Sequence, residues 1–214
     1  MTLFMAGVPG ATRGVVLLHG RGGSARDMVG LVAPLGMEKW RITAPQADGN
    51  SWWPTSFLAP SAQMEPHVET GIDRIDAAIA ALELPRQSIA LVGFSQGACL
   101  ALEYAARAGE GLGAVVGLSG GLVGTADDGE GPSQALYGHA GKRFDYGTSL
   151  GGTAALITCH EADPHIPIQR ARASVDVFEG LGAEASIIEH PGAGHQPMQD
   201  GLDMARDLLS RAPG

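Results

Sequence analysis

Along most of the chain, short apolar or β-branched runs alternate with stretches of helical periodicity. Residues 15–18, 88–92, 114–116, 154–157 and 185–188 are continuous runs of strand length, the pattern of strands covered on both faces, and 41–44 reads as another strand. Between them Val68, Ile72, Ile75, Ile79 and Leu82 recur at the steps of four and three that mark one face of a helix, and Pro85 closes the segment. Further helices are predicted over 96–108, 168–181 and 198–209, and over 24–35, where Ser24 and Asp27 resemble a capping box. This β-α alternation predicts an α/β fold with a mostly parallel central sheet flanked by helices on both faces. In such a fold functional groups collect at the carboxyl ends of the strands. One stretch breaks the rhythm: residues 120–152 are rich in Gly, Asp and Ser and show no clear period beyond a turn around 134–137, so they form an irregular insert.

Composition bounds the function. The 214 residues suit a single domain spanning 1–214, and with 44% hydrophobic and 17% charged residues they can build a core. A net charge of −9 with scattered Lys and Arg disfavours nucleic acid as a partner. No apolar run reaches membrane-spanning length, so no integral membrane association is expected. The start of the chain, residues 1–7, lacks the basic head and long apolar stretch of a signal peptide, so a cytoplasmic location is expected. Cys99 and Cys159 lie in apolar surroundings and are expected to be free thiols.

A G-x-S-x-G pentapeptide marks a nucleophile elbow, where a serine on a tight strand-to-helix turn needs small neighbours at minus two and plus two. In a chain with 32 glycines the pattern alone is weak, and it occurs three times, around Ser95, Ser119 and Ser149. Only Ser95 has a strand before it and a strong helix former after it. Ser119 is followed by Gly120, Gly121 and Gly124, and Ser149 has neither element. Ser95 is therefore the expected nucleophile of an α/β-hydrolase fold.

A serine hydroxyl needs a neutral imidazole to take its proton and a carboxylate to fix the imidazole tautomer, and in this fold they follow in the order Ser, acid, His. Asp127, Asp128 and Asp145 fall in the insert, and Asp176, Asp203 and Asp207 on helical faces. Asp163 stands just beyond a strand and is the expected acid, with Glu161 in reserve. Among later histidines, His165 is close along the chain to Asp163 and His190 ends a strand, where a capped or surface role is expected. His195, in the flexible turn Gly192-Ala193-Gly194-His195, is the expected base. The oxyanion needs two aimed N–H donors. Gln96, after the nucleophile, supplies one, and the glycine-rich turn His19-Gly20-Arg21-Gly22-Gly23 supplies the other from Arg21, with His19 read as structural.

Together, Leu18-His19-Gly20-Arg21-Gly22-Gly23, Gly93-Phe94-Ser95-Gln96-Gly97, Asp163-Pro164-His165-Ile166-Pro167 and Gly194-His195 resemble the bacterial phospholipase/carboxylesterase family, relatives of acyl-protein thioesterases. The resemblance runs from about Gly14 onward. It implies a cofactor-free hydrolase of small to medium acyl esters, lysophospholipids or acyl thioesters, with a small-molecule ester as substrate and, as in many family members, a homodimer as one expected assembly. Two departures stand out: Glu161 directly follows His160, where the family often has Gly, and Gln196-Pro197 follows the base. Trp53 and Trp52, after the strand at 41–44, are candidate substrate-binding residues. The pattern His160-x-x-Asp163-x-His165 could suggest a metal, but a metal there would neutralise the triad acid, so none is expected. The reading is a serine carboxylesterase working through an acyl-enzyme. Its alternatives are a thioesterase or acyltransferase with the same residues, or a non-catalytic binding fold.

Overall fold

Alternate residues of the central strands pack into two separate cores, one on each face of the sheet. In a computed structural model of the chain, residues 2–125 and 131–213 are described; Asp127 and Asp128 of the insert lie outside the described residues. The elements run β1 (Leu3–Gly7), β2 (Gly14–Leu18), β3 (Arg41–Pro45), α1 (Ser61–Ala80), β4 (Ile89–Phe94), α2 (Gln96–Ala108), β5 (Ala114–Leu118), β6 (Pro132–Ser133), β7 (His139–Ala140), β8 (Ala154–Ala162), α3 (Ile168–Gly180), β9 (Glu184–Ala193) and α4 (Gln199–Ser210). The main sheet has seven strands in the order β1-β3-β2-β4-β5-β8-β9. Strand β1 pairs antiparallel with β3, and every other neighbouring pair is parallel.

Because successive strand side chains point to opposite faces, Val16, Leu18, Leu91 and Val115 pack under α1, α2 and α3. Their neighbours Val15, Leu17, Ala90, Val92 and Val116 pack against Met28, Leu35, Met37, Trp40 and α4. Both sets are fully buried, which is why these strands read as continuous apolar runs. Among the described residues no helix is long and apolar enough to cross a membrane.

Three elements differ from expectation. The capping box at Ser24 forms, with the Ser24 N–H donating to Asp27 Oδ2 at 2.7 Å and the Asp27 N–H to Ser24 Oγ at 3.3 Å. Instead of a helix over 24–35, however, only a short 3-10 helix, Asp27–Leu31, follows it. Gly30 is a weak helix former and Pro34 has no N–H to donate, so the run breaks into tight turns that seat Met28 and Leu35 separately. Helix α1 begins at Ser61, ahead of the periodic segment, and carries Pro66 inside it. It accepts the loss of one backbone hydrogen bond because Met64 and Val68, one turn apart, are both buried. Strand β1 has no alternating pattern, since Met5 is an exposed apolar residue on an edge, and its pairing with β3 is not locally encoded.

The insert is tied to the back of α2. Glu103 is fully buried, pairs with Arg107 Nε at 2.7 Å, and accepts from the Val123 N–H and the Tyr146 hydroxyl, each at 2.9 Å. Lys142 donates to Tyr146 and to the Val123 carbonyl. Burial pulls the Lys142 ammonium below its usual range, and the Glu103 charge opposes that pull. Glu103→Ala strands these partners. Removing one member of a buried pair costs at least about 3 kcal/mol; the low end applies because the Arg107 side chain is 26% exposed. At about 2–4 °C per kcal/mol for a chain of this size, the expected drop in Tm is about 6–12 °C. A calorimetric shift under about 2 °C would show that Glu103 does not anchor the insert.

Candidate active site

The turn from β4 into α2 is tight enough to demand its two glycines. A Cβ on Gly93 would lie 2.2 Å from the Gly97 carbonyl oxygen, and one on Gly97 would lie 2.1 Å from the Leu18 carbonyl oxygen on the neighbouring strand. Between them Ser95 adopts φ 55°, ψ −119°. A non-glycine residue held there is strained by about 1–3 kcal/mol, the kind of strain that clusters at functional sites. Its backbone is secured by the Ser95 N–H donating to the Leu118 carbonyl at 2.9 Å, and its hydroxyl stands at the carboxyl end of the sheet.

Ser95 Oγ lies 2.7 Å from His195 Nε2. On the other side of the ring, His195 Nδ1 is 2.9 and 2.8 Å from the two carboxylate oxygens of Asp163. Asp163 is fully buried, and its Oδ1 also accepts the N–H groups of His165 and Ile166 at 2.8 and 3.0 Å. A carboxylate can only accept, so Nδ1 carries the imidazole proton and Nε2 offers its lone pair to the serine hydroxyl. The alignment has the geometry required of nucleophile, base and orienting acid.

The rejected candidates sit elsewhere. Ser119 shares the positive φ of 55°, but it is fully buried and its hydroxyl has no partner among the described residues. Ser149 lies on the exposed insert, as does Asp145. Glu161 is exposed and accepts the Gly192 N–H at 3.2 Å. His190 is buried, not at the surface, with Nδ1 3.3 Å from Asp200 Oδ1 and its ring 5.0 Å from that of His160. It lies inside β9, which continues to Ala193, so its side chain is packed within the sheet. Burial keeps the His160 imidazole below its usual range; it pushes the Cys99 thiol up to about 12, so that thiol is not a nucleophile at neutral pH. Both cysteines are free and buried.

His19 is structural, as expected. Its ring is held by the Ala47 N–H donating to Nε2 at 3.1 Å and by Nδ1 at 2.7 Å from the Gly20 carbonyl, and burial lowers its basicity. These bonds fix the turn that presents the Arg21 backbone N–H, which has no acceptor among the described residues. The Gln96 N–H sits in the first turn of α2, where helix N–H groups have no acceptor within the helix.

A cavity of about 700 Å³ opens at Ser95 and His195, walled by Trp53, Phe57, Leu58, Phe94, Cys99 and Ile166, with Arg21 and His165 also at its boundary. Of the two tryptophans only Trp53 lines it. The Trp52 indole N–H donates to the His19 carbonyl at 2.8 Å and its ring packs against His19, so Trp52 braces the turn that carries Arg21. Most of the lining lay beyond what the sequence pointed to, Phe57, Leu58 and Ile166 among it, and three polar members stand out. Tyr137 and His139 reach the cavity from the insert, and the Tyr137 hydroxyl donates to the Asp163 main-chain carbonyl. His165 packs its ring edge-on against His195, with centroids 4.7 Å apart. The turn signal at 134–137 marks where the insert folds back, but nothing local shows what it folds onto.

The description of the Phospholipase/Carboxylesterase family matches residues 6–128 of this chain. A crystal structure of a phospholipase/carboxylesterase from Dyadobacter fermentans superposes with a TM-score of 0.85 at 32% identity, covering 98% of this chain and 96% of that one. The crystal structure of esterase PE8 gives 0.74 at 27% identity, over 99% and 98%. Acyl-protein thioesterase 1 of Gibberella zeae is 28% identical over 125 residues, 58% of this chain, and the match spans about half of that relative, 48% of its length.

Proposed function

The chain belongs to the phospholipase/carboxylesterase family of α/β hydrolases, and on that premise we propose that it is a serine hydrolase that cleaves carboxylic esters of small to medium acyl groups through an acyl-enzyme on Ser95. The observation that carries this reading is the continuous line from Ser95 Oγ through His195 to buried Asp163, at 2.7 and 2.8 Å. Ser95 Oγ attacks the ester carbonyl carbon while its proton passes to His195 Nε2. The oxyanion is met by the Arg21 and Gln96 N–H groups. Collapse expels the alcohol, which leaves with the proton from His195, and water then attacks the acyl-enzyme by the same route in reverse. Asp163 holds the ring and stabilises the imidazolium without itself taking the proton.

The cavity supports the choice of acyl size: it is walled mainly by apolar side chains and falls in the usual range for small-molecule sites. A fluorophosphonate is expected to label the protein once, on Ser95, as read by mass spectrometry of the intact chain and of its peptides. A folded protein left unmodified at Ser95 would overturn the proposal. The thioesterase relative supports a second reading, thioester cleavage by the same residues. Rates on p-nitrophenyl butyrate and on a butyryl thioester, compared on one preparation, separate the two.

A further inference from the structure

The two residues whose backbone N–H groups face the oxyanion in the proposed reaction also use their side chains, and both side chains hold the same segment. Arg21 Nη1 donates to the Pro54 carbonyl at 3.0 Å and Nη2 donates to the Thr55 carbonyl. Gln96 Nε2 donates to the Trp53 carbonyl at 2.8 Å, and Gln96 Oε1 accepts from the Trp52 N–H at 2.9 Å and from Ser51 Oγ at 3.3 Å. Next to Arg21, the Gly22 N–H donates to the Asn50 carbonyl at 2.7 Å. Backbone groups along residues 50–55 are thus tied to the two turns that aim the oxyanion donors. Trp53, Pro54 and Thr55 of that segment also line the cavity in which the acyl group would sit.

We infer that the Arg21 guanidinium is a positioning group that couples the acyl-cavity wall to the oxyanion donors. This rests on the reading of Ser95 as the nucleophile. The physical basis is geometric. Arg21 sits in a turn between glycines, Gly20 and Gly22, and its N–H belongs to the Gly20–Arg21 peptide, whose carbonyl accepts from His19 Nδ1 at 2.7 Å and from the Gly23 N–H at 3.1 Å, so the turn moves as one unit. Its planar fork meets two successive carbonyls at once, and a compact ammonium cannot reproduce that match. With the fork bound, rotation of the turn moves residues 53–55, and an acyl group that fills the cavity and presses on those residues steadies the turn. Oxyanion stabilisation depends on donors already aimed at the developing charge. The coupling therefore appears in kcat and grows as the acyl chain lengthens to fill the cavity.

The test uses Arg21→Ala and Arg21→Lys, both of which keep the backbone N–H, assayed on p-nitrophenyl esters from acetyl to octanoyl. For Arg21→Ala kcat is expected to fall by about 10–100-fold with KM little changed, and the rise of kcat with acyl length expected of the parent to flatten. Arg21→Lys recovers part of kcat, and millimolar guanidinium restores activity to Arg21→Ala but not to the parent, while thermal melting is parental throughout. A purely structural role would lower the melting temperature and show no guanidinium rescue, and that result overturns the inference. So does a loss confined to KM. If Arg21→Ala does not fold, Arg21→Lys decides alone: reduced kcat at parental stability supports the coupling, and parental kcat refutes it. The parent is labelled with fluorophosphonate on the same preparation. An unlabelled parent sinks the nucleophile reading itself, whereas a labelled parent with an Arg21→Ala variant of parental kcat sinks only the coupling.

Discussion

Replacement of His195 by alanine is expected to lower kcat on a p-nitrophenyl ester by about 10⁶ while KM stays within a few-fold, because nucleophile and base act as one unit. The reason lies in the pairing of Ser95 Oγ with His195 Nε2 at 2.7 Å. Without the imidazole, attack requires a neutral hydroxyl or a rare alkoxide, and the departing alcohol has no proton donor. Because the two residues serve one step, Ser95→Ala and the double variant are expected to be no worse than His195→Ala alone. Residual turnover comes from cavity binding and the oxyanion donors, on the order of 10³–10⁴ over water. The measurement is steady-state kinetics on freshly prepared enzyme, with the melting temperature as a control for folding. Losses that multiply in the double variant would mean that the two groups act in separate steps. His190→Ala and His165→Ala are the comparison variants, and neither should approach this loss, since only His195 touches the serine.

Asp163→Asn is expected to cost about 10⁴ in kcat with almost no loss of stability. The side chain keeps its shape, and its amide oxygen still accepts the N–H groups of His165 and Ile166 now bound at 2.8 and 3.0 Å. What changes is the partner of His195 Nδ1. An amide NH₂ turned toward the ring forces the tautomer with the proton on Nε2, and that nitrogen then donates to the serine instead of accepting from it. Asp163→Ala is a different experiment, because it also leaves unpaired the buried Ile166 N–H, at about 1–3 kcal/mol, and the part-buried His165 N–H. The kinetics are read beside a thermal melt: a large fall in kcat at parental Tm is the expected pair, and parental kcat would remove Asp163 from the mechanism. Glu161→Gln tests the reserve carboxylate. Its side chain is exposed and, among the described residues, accepts only from the Gly192 N–H, so kcat should stay near the parental value.

Much of this site could be read before any coordinates, for local reasons. Helix α2 and the core strands announce themselves by runs and periods that depend on neighbours a few positions away. The elbow at Ser95 needs only a strand before it, a helix after it and two glycines that cannot carry a Cβ. The order of acid and base then left Asp163 and His195 as the well-placed pair. Where local rules failed, a non-local contact had decided the matter. Residues 24–35 carry a sound capping box, yet Gly30 and Pro34 let the sheet seat each apolar residue separately in place of a helix. Strand β1 exists because β3 offers it an edge.

The amino-acid sequence by itself determined the α/β layout, the family and the three residues now found in line, because each rests on patterns a few residues long or on their order along the chain. Tertiary structure alone decided what surrounds Ser95. The chain bends at Trp52, and the two adjacent rings leave it toward different neighbours. Trp53 faces the cavity while Trp52 braces His19. No local pattern says which of two adjacent tryptophans takes which side, since both faces are apolar and both bury the ring. The same holds for Arg21 and Gln96, whose side-chain partners lie more than thirty residues away along the chain and meet them only when the strands align. It holds as well for Tyr137, whose hydroxyl finds the Asp163 carbonyl only after the insert folds back across the end of the sheet.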